Sequence, residues 1–113
     1  MKFEMNIDIY GTVWQLKIIN HLDCGLFKSD GGTLCGKCNF NSKEIIIADG
    51  NNHERLYEII THEITHAVIM QMLLCKQDFT HEEVCEFMER YCEFICKLSQ
   101  DVLERIEGYY EKR

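Results

Sequence analysis

The second half of this chain carries almost none of the residues that interrupt helices. The sequence has 113 residues and no proline, and no glycine occurs between Gly50 and Gly108. Glycine and proline are the residues that most disfavour a helix interior. The segment beyond Asn52 is therefore expected to be helical, and any strands should come before it.

A first helix is predicted to begin after Asn52 and to run to about Cys75. Asparagine is a favourable N-cap residue, because its side chain accepts a hydrogen bond from the first free N–H groups of a helix. Apolar residues follow on most faces of this segment, including Ile59, Ile60 and Val68. A helix that is apolar on most faces is expected to lie deep in the core.

A second helix is predicted from about His81 towards Tyr110. Thr80 followed three residues later by Glu83 forms a capping-box pattern, in which each residue bonds the backbone of the other. Ser99 is a candidate interruption within this long segment.

The N-terminal half predicts strands. Apolar residues alternate with polar ones from Phe3 to Ile9 and again from Trp14 to Ile18, which indicates an antiparallel hairpin around Gly11. The β-branched run 44–48 predicts a third strand, and residues 20–41 are expected to be a loop. The expected fold class is α+β, with a small antiparallel sheet of about three strands packed on two long helices in one domain, residues 1–113.

Charge and hydropathy exclude several classes of partner. There are 19 acidic and 12 basic residues, for a net charge of −7, and the basic residues form no stripe. Neither nucleic acid nor an anionic membrane surface is expected as a partner. The apolar runs fall far short of the roughly 18 residues of a membrane span, and the first residues do not resemble a secretory signal. A cytoplasmic location with reduced thiols is expected.

The chemistry of the chain is concentrated in the pattern His-Glu-x-x-His, residues 62–66. Because residues four apart share a helix face, His62 and His66 can both bind one Zn²⁺. Glu63, about 100° round the helix, would act as general base on a water held by the metal. Apolar neighbours predict that all three side chains face the interior.

A catalytic zinc takes three protein ligands and keeps one open position. Three candidates open the second helix, but Glu83 is already explained by the capping box. Helix phase favours His81, which continues an apolar stripe. Glu82 is free, and Glu86, one turn later, could orient a ligand histidine, although a solvated acidic face explains this pair equally well.

Residues 58–67 resemble the small zinc metallopeptidases of phages and other mobile elements of Gram-positive bacteria, within the broad gluzincin class. The similarity extends to residues 9–12, 36–40, 43–47 and 81–87. It implies a minimal zincin-like core and a peptide or protein substrate. It also implies Glu82 as the third metal ligand, with Glu86 as the acid beside the site. His81 departs from the family pattern, so it stays an alternative ligand, as in Spartan-type proteases, or an oxyanion donor.

A competing function is a non-catalytic, zinc-bound interaction protein of a phage or mobile element, because so short a chain has little room for a substrate cleft. The seven cysteines add a further question. His21 and Cys24, with Cys35 and Cys38, have the spacing of a second zinc site, although loop cysteines are more often unligated. The helical cysteines are interpreted as small core residues. They are Cys75, Cys85, Cys92 and Cys96.

Overall fold

The protein is described by a computed structural model that covers residues 3–20, 35–74 and 78–111. A four-stranded sheet packs against two helices, so the α+β class is confirmed. The elements are β1 (Phe3–Ile9), β2 (Thr12–Ile19), β3 (Gly36–Asn39), β4 (Glu44–Ala48), α1 (His53–Gln71) and α2 (His81–Glu111).

The predicted hairpin is confirmed. β1 and β2 are antiparallel, with Ile9 opposite Thr12, and a two-residue turn joins them. Both turn residues have positive φ, 47° at Tyr10 and 91° at Gly11. This is the signature of a type I′ turn, whose twist matches that of the strands. The Gly11 N–H donates to Asp8 Oδ1 at 2.7 Å, which closes the turn.

The sheet differs from the prediction in strand number and in direction. Its order is β1-β2-β4-β3, with β4 parallel to β2 and β3 antiparallel to β4. The segment that forms β3, Gly36–Asn39, was expected to be loop because it has no apolar alternation. It is extended because it pairs with β4 and packs on α1, and neither contact is visible in its own residues. The direction of β4 likewise depends on the path between strands.

One face of the sheet supplies the largest share of the core. Residues that alternate along the strands are fully or nearly fully buried there: Ile7, Ile9, Trp14, Leu16, Ile18, Ile45 and Ile47. Trp14 Nε1 donates to Gln71 Oε1 at 2.7 Å, and the Gln71 amide donates to the Ile9 carbonyl. The end of α1 is therefore tied to the hairpin, and the buried indole N–H has a partner.

The start of α1 agrees with the prediction, and its end comes earlier. Asn52 is the N-cap, and its Oδ1 accepts from the Arg55 N–H at 2.9 Å. The helix ends at Gln71 rather than near Cys75, and Leu73 just beyond has a φ of 59°. A left-handed residue after the last turn is a common way to end a helix.

The start of α2 also agrees with the prediction. Thr80 N–H donates to Glu83 Oε1 at 3.0 Å, and Glu83 N–H donates to Thr80 Oγ1 at 3.1 Å. The capping box is therefore formed in both directions. Ser99 is buried within a continuous helix and does not interrupt it.

The two helices run antiparallel, and their contacts define which residues lie level with each other. His53, at the start of α1, pairs with Glu107 near the end of α2. Tyr57 and Leu103 line one cavity between the helices, and Leu74 and Phe87 line another. Residues 62–66 of α1 are therefore level with roughly residues 94–98 of α2.

Within the described ranges, neither helix is both long and apolar enough to cross a membrane.

β3 approaches α1 most closely at a glycine. A Cβ atom added to Gly36 would lie 3.1 Å from Ile59 Cγ2, 3.2 Å from the Ile46 carbonyl oxygen and 3.3 Å from Glu63 Cγ. These contacts are tighter than ordinary packing allows. The absence of a side chain at Gly36 thus sets the spacing between β3 and the helix.

Gly36→Ala is expected to lower the free energy of unfolding by about 1–3 kcal/mol, because the added methyl group pushes β3 away from α1. Gly108→Ala is the matched control, since its Cβ position meets no atom within 4 Å outside its chain neighbours and the nearby backbone of its own helix. Gly108 lies in the last turn of α2, where that change should stabilise by at most about 0.5–1 kcal/mol. Urea unfolding of both variants measures the difference, and equal effects would contradict the close approach at Gly36.

Candidate metal centre

His62 and His66 lie side by side on the exposed surface of α1. Their Nε2 atoms are 3.1 Å apart, and their ring centroids are 4.7 Å apart. Two imidazole nitrogens bound to one tetrahedral zinc are separated by about 3.3 Å, since each Zn–N bond is about 2.0–2.1 Å. The two side chains therefore have nearly the separation that a shared zinc ion requires.

The histidines do not face the interior as predicted. Both are exposed, whereas Glu63 is only 5% exposed. The reason is that the sheet and α2 together cover most of α1 and leave one strip open. Tyr57 lines a cavity together with Gln100 and Leu103, so it marks the flank of α1 that faces α2. His62 and His66 lie about 140° and about 180° round the helix from it. The histidine pair therefore lies on the flank turned away from α2.

Glu63 lies beneath the edge strand β3. Its Cγ is one of the three atoms that a side chain at position 36 would contact. Its carboxylate is close enough to Cys38 to raise the pKa of that thiol. Burial raises the pKa of Glu63 above the usual range of a glutamate, and the neighbouring His62 partly opposes that shift. A buried carboxyl group with a raised pKa is typical of groups that accept and release protons in catalysis.

The pKa of His66 shifts in the direction that favours metal binding. Burial lowers it, and the nearby His62 lowers it further. Only the neutral imidazole has a free nitrogen lone pair, so a lowered pKa increases the fraction of His66 that can act as a ligand near neutral pH.

Of the four residues proposed for a second zinc site, the structure describes Cys35 and Cys38. Burial and the charge of Glu63 raise the pKa of Cys38 to about 12, so in the metal-free protein its thiol stays protonated at neutral pH. Cys35 Sγ lies 3.7 Å from an Arg55 guanidinium nitrogen. His21 and Cys24 lie outside the described residues.

The α2 residues predicted to complete the site are not brought to the histidine pair. His81, Glu82 and Glu86 are exposed in the first two turns of α2. Glu82 is twelve residues before the part of α2 that is level with His66, or about 18 Å along the helix.

These α2 residues also lie on the other side of α1 from the histidines, because α2 packs against the flank opposite the histidine pair. In residues 3–20, 35–74 and 78–111, no three His, Cys, Asp or Glu side chains form a group that could hold a metal ion. This arrangement differs from the predicted zinc site, which takes ligands from both helices, because α2 packs against the covered side of α1.

The contribution of β3 to the site was missed by sequence reasoning. The Cys35 carbonyl accepts a hydrogen bond from the Ala48 N–H at 2.9 Å. Along β3, residues bonded to β4 alternate with residues that are not, so the backbone groups of Gly36 and Cys38 point to the opposite edge. We call this the open edge, because no strand among the described residues pairs with it. Going round the axis of α1 away from the side that faces α2, one meets Ile60, then Glu63, then Ile59 and then the two histidines. The open edge of β3 therefore borders the histidine strip. The only signal in the sequence was the glycine at position 36.

One cavity of about 730 Å³ lies elsewhere, between the start of α1 and the end of α2. Its walls include Ala48, Asn51, Ile106 and the His53–Glu107 pair. None of the histidine-pair residues lines it, so we identify the candidate site by its chemistry and not by volume.

No family model matches the chain, and comparison with curated proteins and with solved structures finds none that is similar to it.

With zinc removed by a chelator, Glu63→Gln is expected to be more stable than the wild type at about pH 8, and the difference should shrink towards about pH 4. The pKa of Glu63 is raised in the folded protein, so the wild type loses stability as the pH rises through that value. A neutral amide has no such loss. Urea unfolding across this pH range measures the effect.

Glu58→Gln is the control for this experiment, because Glu58 is exposed on the same helix. It should leave the pH dependence unchanged. Parallel curves for Glu63→Gln and the wild type at every pH would contradict the buried, charge-disfavouring environment of Glu63.

Proposed function

We propose that this protein is a zinc-dependent metallopeptidase. The observation that carries the proposal is the combination on α1 of two adjacent histidines, with Nε2 atoms 3.1 Å apart, and a carboxyl group buried one residue away. Burial of a carboxyl group carries a desolvation cost, and groups held in such an environment are concentrated at functional sites. The resemblance of residues 58–67 to phage-type metallopeptidases supports the same reaction.

His62 and His66 would hold Zn²⁺, which when bound polarises the substrate carbonyl and makes water more acidic. Both histidines are accessible, so a metal and a substrate can reach them from solvent. Glu82 remains the prediction from resemblance for a third ligand, although the described geometry supports only the two histidines.

Glu63 would serve as the general base and then as the general acid. In its ionised form, a carboxylate oxygen accepts a proton from the attacking water, and the protonated carboxyl then delivers that proton to the leaving amine. The raised pKa of Glu63 favours the second step, because a glutamate with an ordinary pKa would be protonated to a smaller extent near neutral pH. The cover provided by β3 keeps bulk water from this carboxyl group.

The open edge of β3 would align the peptide. Free N–H and C=O groups at a sheet edge bind an extended chain as an additional strand. Gly36 and Cys38 direct such groups towards the histidine strip, so a bound strand would run beside Glu63. The proposed substrate class is therefore an extended peptide or an unfolded protein segment.

Glu63→Gln is expected to retain zinc and the fold but to lower the rate of peptide hydrolysis by at least about 100-fold, since the general base is lost. The assay follows cleavage of a peptide mixture by mass spectrometry, with and without chelator. Glu58→Gln is the matched control and should cleave at the wild-type rate. Equal cleavage by Glu63→Gln and the wild type would exclude this mechanism.

Zinc addition is expected to shift the imidazole NMR signals of His62 and His66 together. His62→Ala or His66→Ala should weaken this binding by about 100-fold, because a chelating partner is lost. Glu82→Ala should leave it unchanged, given its distance along α2. A loss of zinc binding in Glu82→Ala equal to that in the histidine variants would instead restore Glu82 as a ligand.

The second candidate is a zinc-bound interaction protein without catalysis. It is favoured by one observation, that the described residues offer two zinc ligands and not the three of a catalytic site. Cellular function that is insensitive to chelator, or that survives Glu63→Gln, would favour a binding role over catalysis.

The protein would act in the cytoplasm, which is that of a bacterial host if a phage encodes it. Five described cysteines carry free thiols, as expected where thiols stay reduced. The net charge of −7 argues against nucleic acid or an anionic membrane as a partner.

A further inference from the structure

Two cysteines of α2 form a sulfur pair on the protein surface. Cys92 and Cys96 are one helical turn apart, and their Sγ atoms are 3.9 Å apart. Cys96 is exposed and Cys92 is half-buried, so the prediction that these residues fill the core is wrong for Cys96. It is also wrong for Cys85, which is exposed. The buried stripe of α2 passes instead through Tyr91, Ile95 and Ser99.

The helix on which the pair lies holds the two sulfur atoms in place. Tyr91 and Ile95 are buried against the rest of the protein, and each precedes one of the two cysteines. The helix is continuous from His81 to Glu111. The two Cβ positions are therefore set by packing that does not involve the thiols.

The sulfur separation matches two ligands of one metal ion. With metal–sulfur bonds of about 2.3 Å, two thiolates are about 3.8 Å apart on a tetrahedral ion and about 4.0 Å apart on a trigonal one. The observed 3.9 Å lies between these values. A linear ion would need about 4.6 Å. The pair thus fits a bent, three- or four-coordinate arrangement without any change in the helix.

A disulfide fits the same pair less well. Its Cβ atoms must approach to about 3.5–4.5 Å, whereas residues four apart on a helix have Cβ atoms about 5–6 Å apart. Oxidation would therefore require α2 to distort in its central, well-packed turns. The geometry favours bridging by an ion over a covalent bond.

The surroundings narrow the choice of ion. In the part of the chain that the structure describes, no third His, Cys, Asp or Glu joins the pair. A structural zinc requires four ligands, whereas Cu(I) prefers soft thiolates and accepts fewer of them. We propose that Cys92 and Cys96 form a bidentate surface site for Cu(I), whose remaining coordination is completed by a small external ligand. This site is independent of the histidine pair and of the proposed peptidase activity.

The experiment is a titration of the reduced protein with Cu(I) under anaerobic conditions, in competition with a coloured Cu(I) chelator. Cys92→Ser and Cys96→Ser should each weaken the first Cu(I) equivalent by about 100-fold, because a chelate becomes a single thiolate. Cys85→Ser is the matched control, an exposed cysteine on the same helix, and should bind as the wild type does. The variants are made in a His62→Ala, His66→Ala background, so that imidazole ligands do not contribute.

Unchanged affinity in Cys92→Ser and Cys96→Ser, or an equal loss in Cys85→Ser, would overturn the proposal. A second measurement uses the wild type alone: alkylation mapped over all seven cysteines. Cu(I) should protect Cys92 and Cys96 while Cys85 still reacts, and protection at other cysteines instead would assign the metal elsewhere. Zinc that protects the pair as strongly as Cu(I) would overturn the choice of ion.

Discussion

The structure depends on the enclosure of α1. This helix has apolar residues on most of its faces, and the protein covers them from two directions, with β3 and β4 on one flank and α2 on the other. Burial of apolar surface is the main favourable term in folding, so this double coverage is what holds the sheet and the two helices together. Its geometric consequence is that only one narrow strip of α1 stays open, and His62 and His66 occupy it.

The same enclosure creates the unusual environment of Glu63. Glu63 lies between the open strip and the covered flank of α1. Its carboxyl group is therefore beneath β3, where water is largely excluded. Its ionised form is penalised there, which is unfavourable for stability and raises the pKa of the carboxyl group. Gly36 makes this possible, because any side chain at that position would occupy the space of the Glu63 and Ile59 side chains. The site is therefore a joint property of a helix and of an edge strand.

Much of the fold could be predicted because its signals are local. The hairpin follows from alternation and a glycine turn, and both helix starts follow from capping residues that bond within three positions, Asn52 and Thr80. Two adjacent histidines on one helix face are also a local property. Strand β3, the parallel direction of β4 and the exposure of Cys85 and Cys96 could not be predicted in this way. Each of them depends on which distant element packs alongside.

The sequence by itself determined the helical second half, the α+β class and a pair of adjacent histidines on one helix face, because these follow from residue spacing along the chain. Only the tertiary structure decided which flank of α1 faces solvent, what lies above Glu63 and how far α2 keeps Glu82 from the histidines. Those features depend on helix rotation and on the register of the antiparallel helix pair. Both are set by the sum of many long-range contacts, and no short motif encodes them.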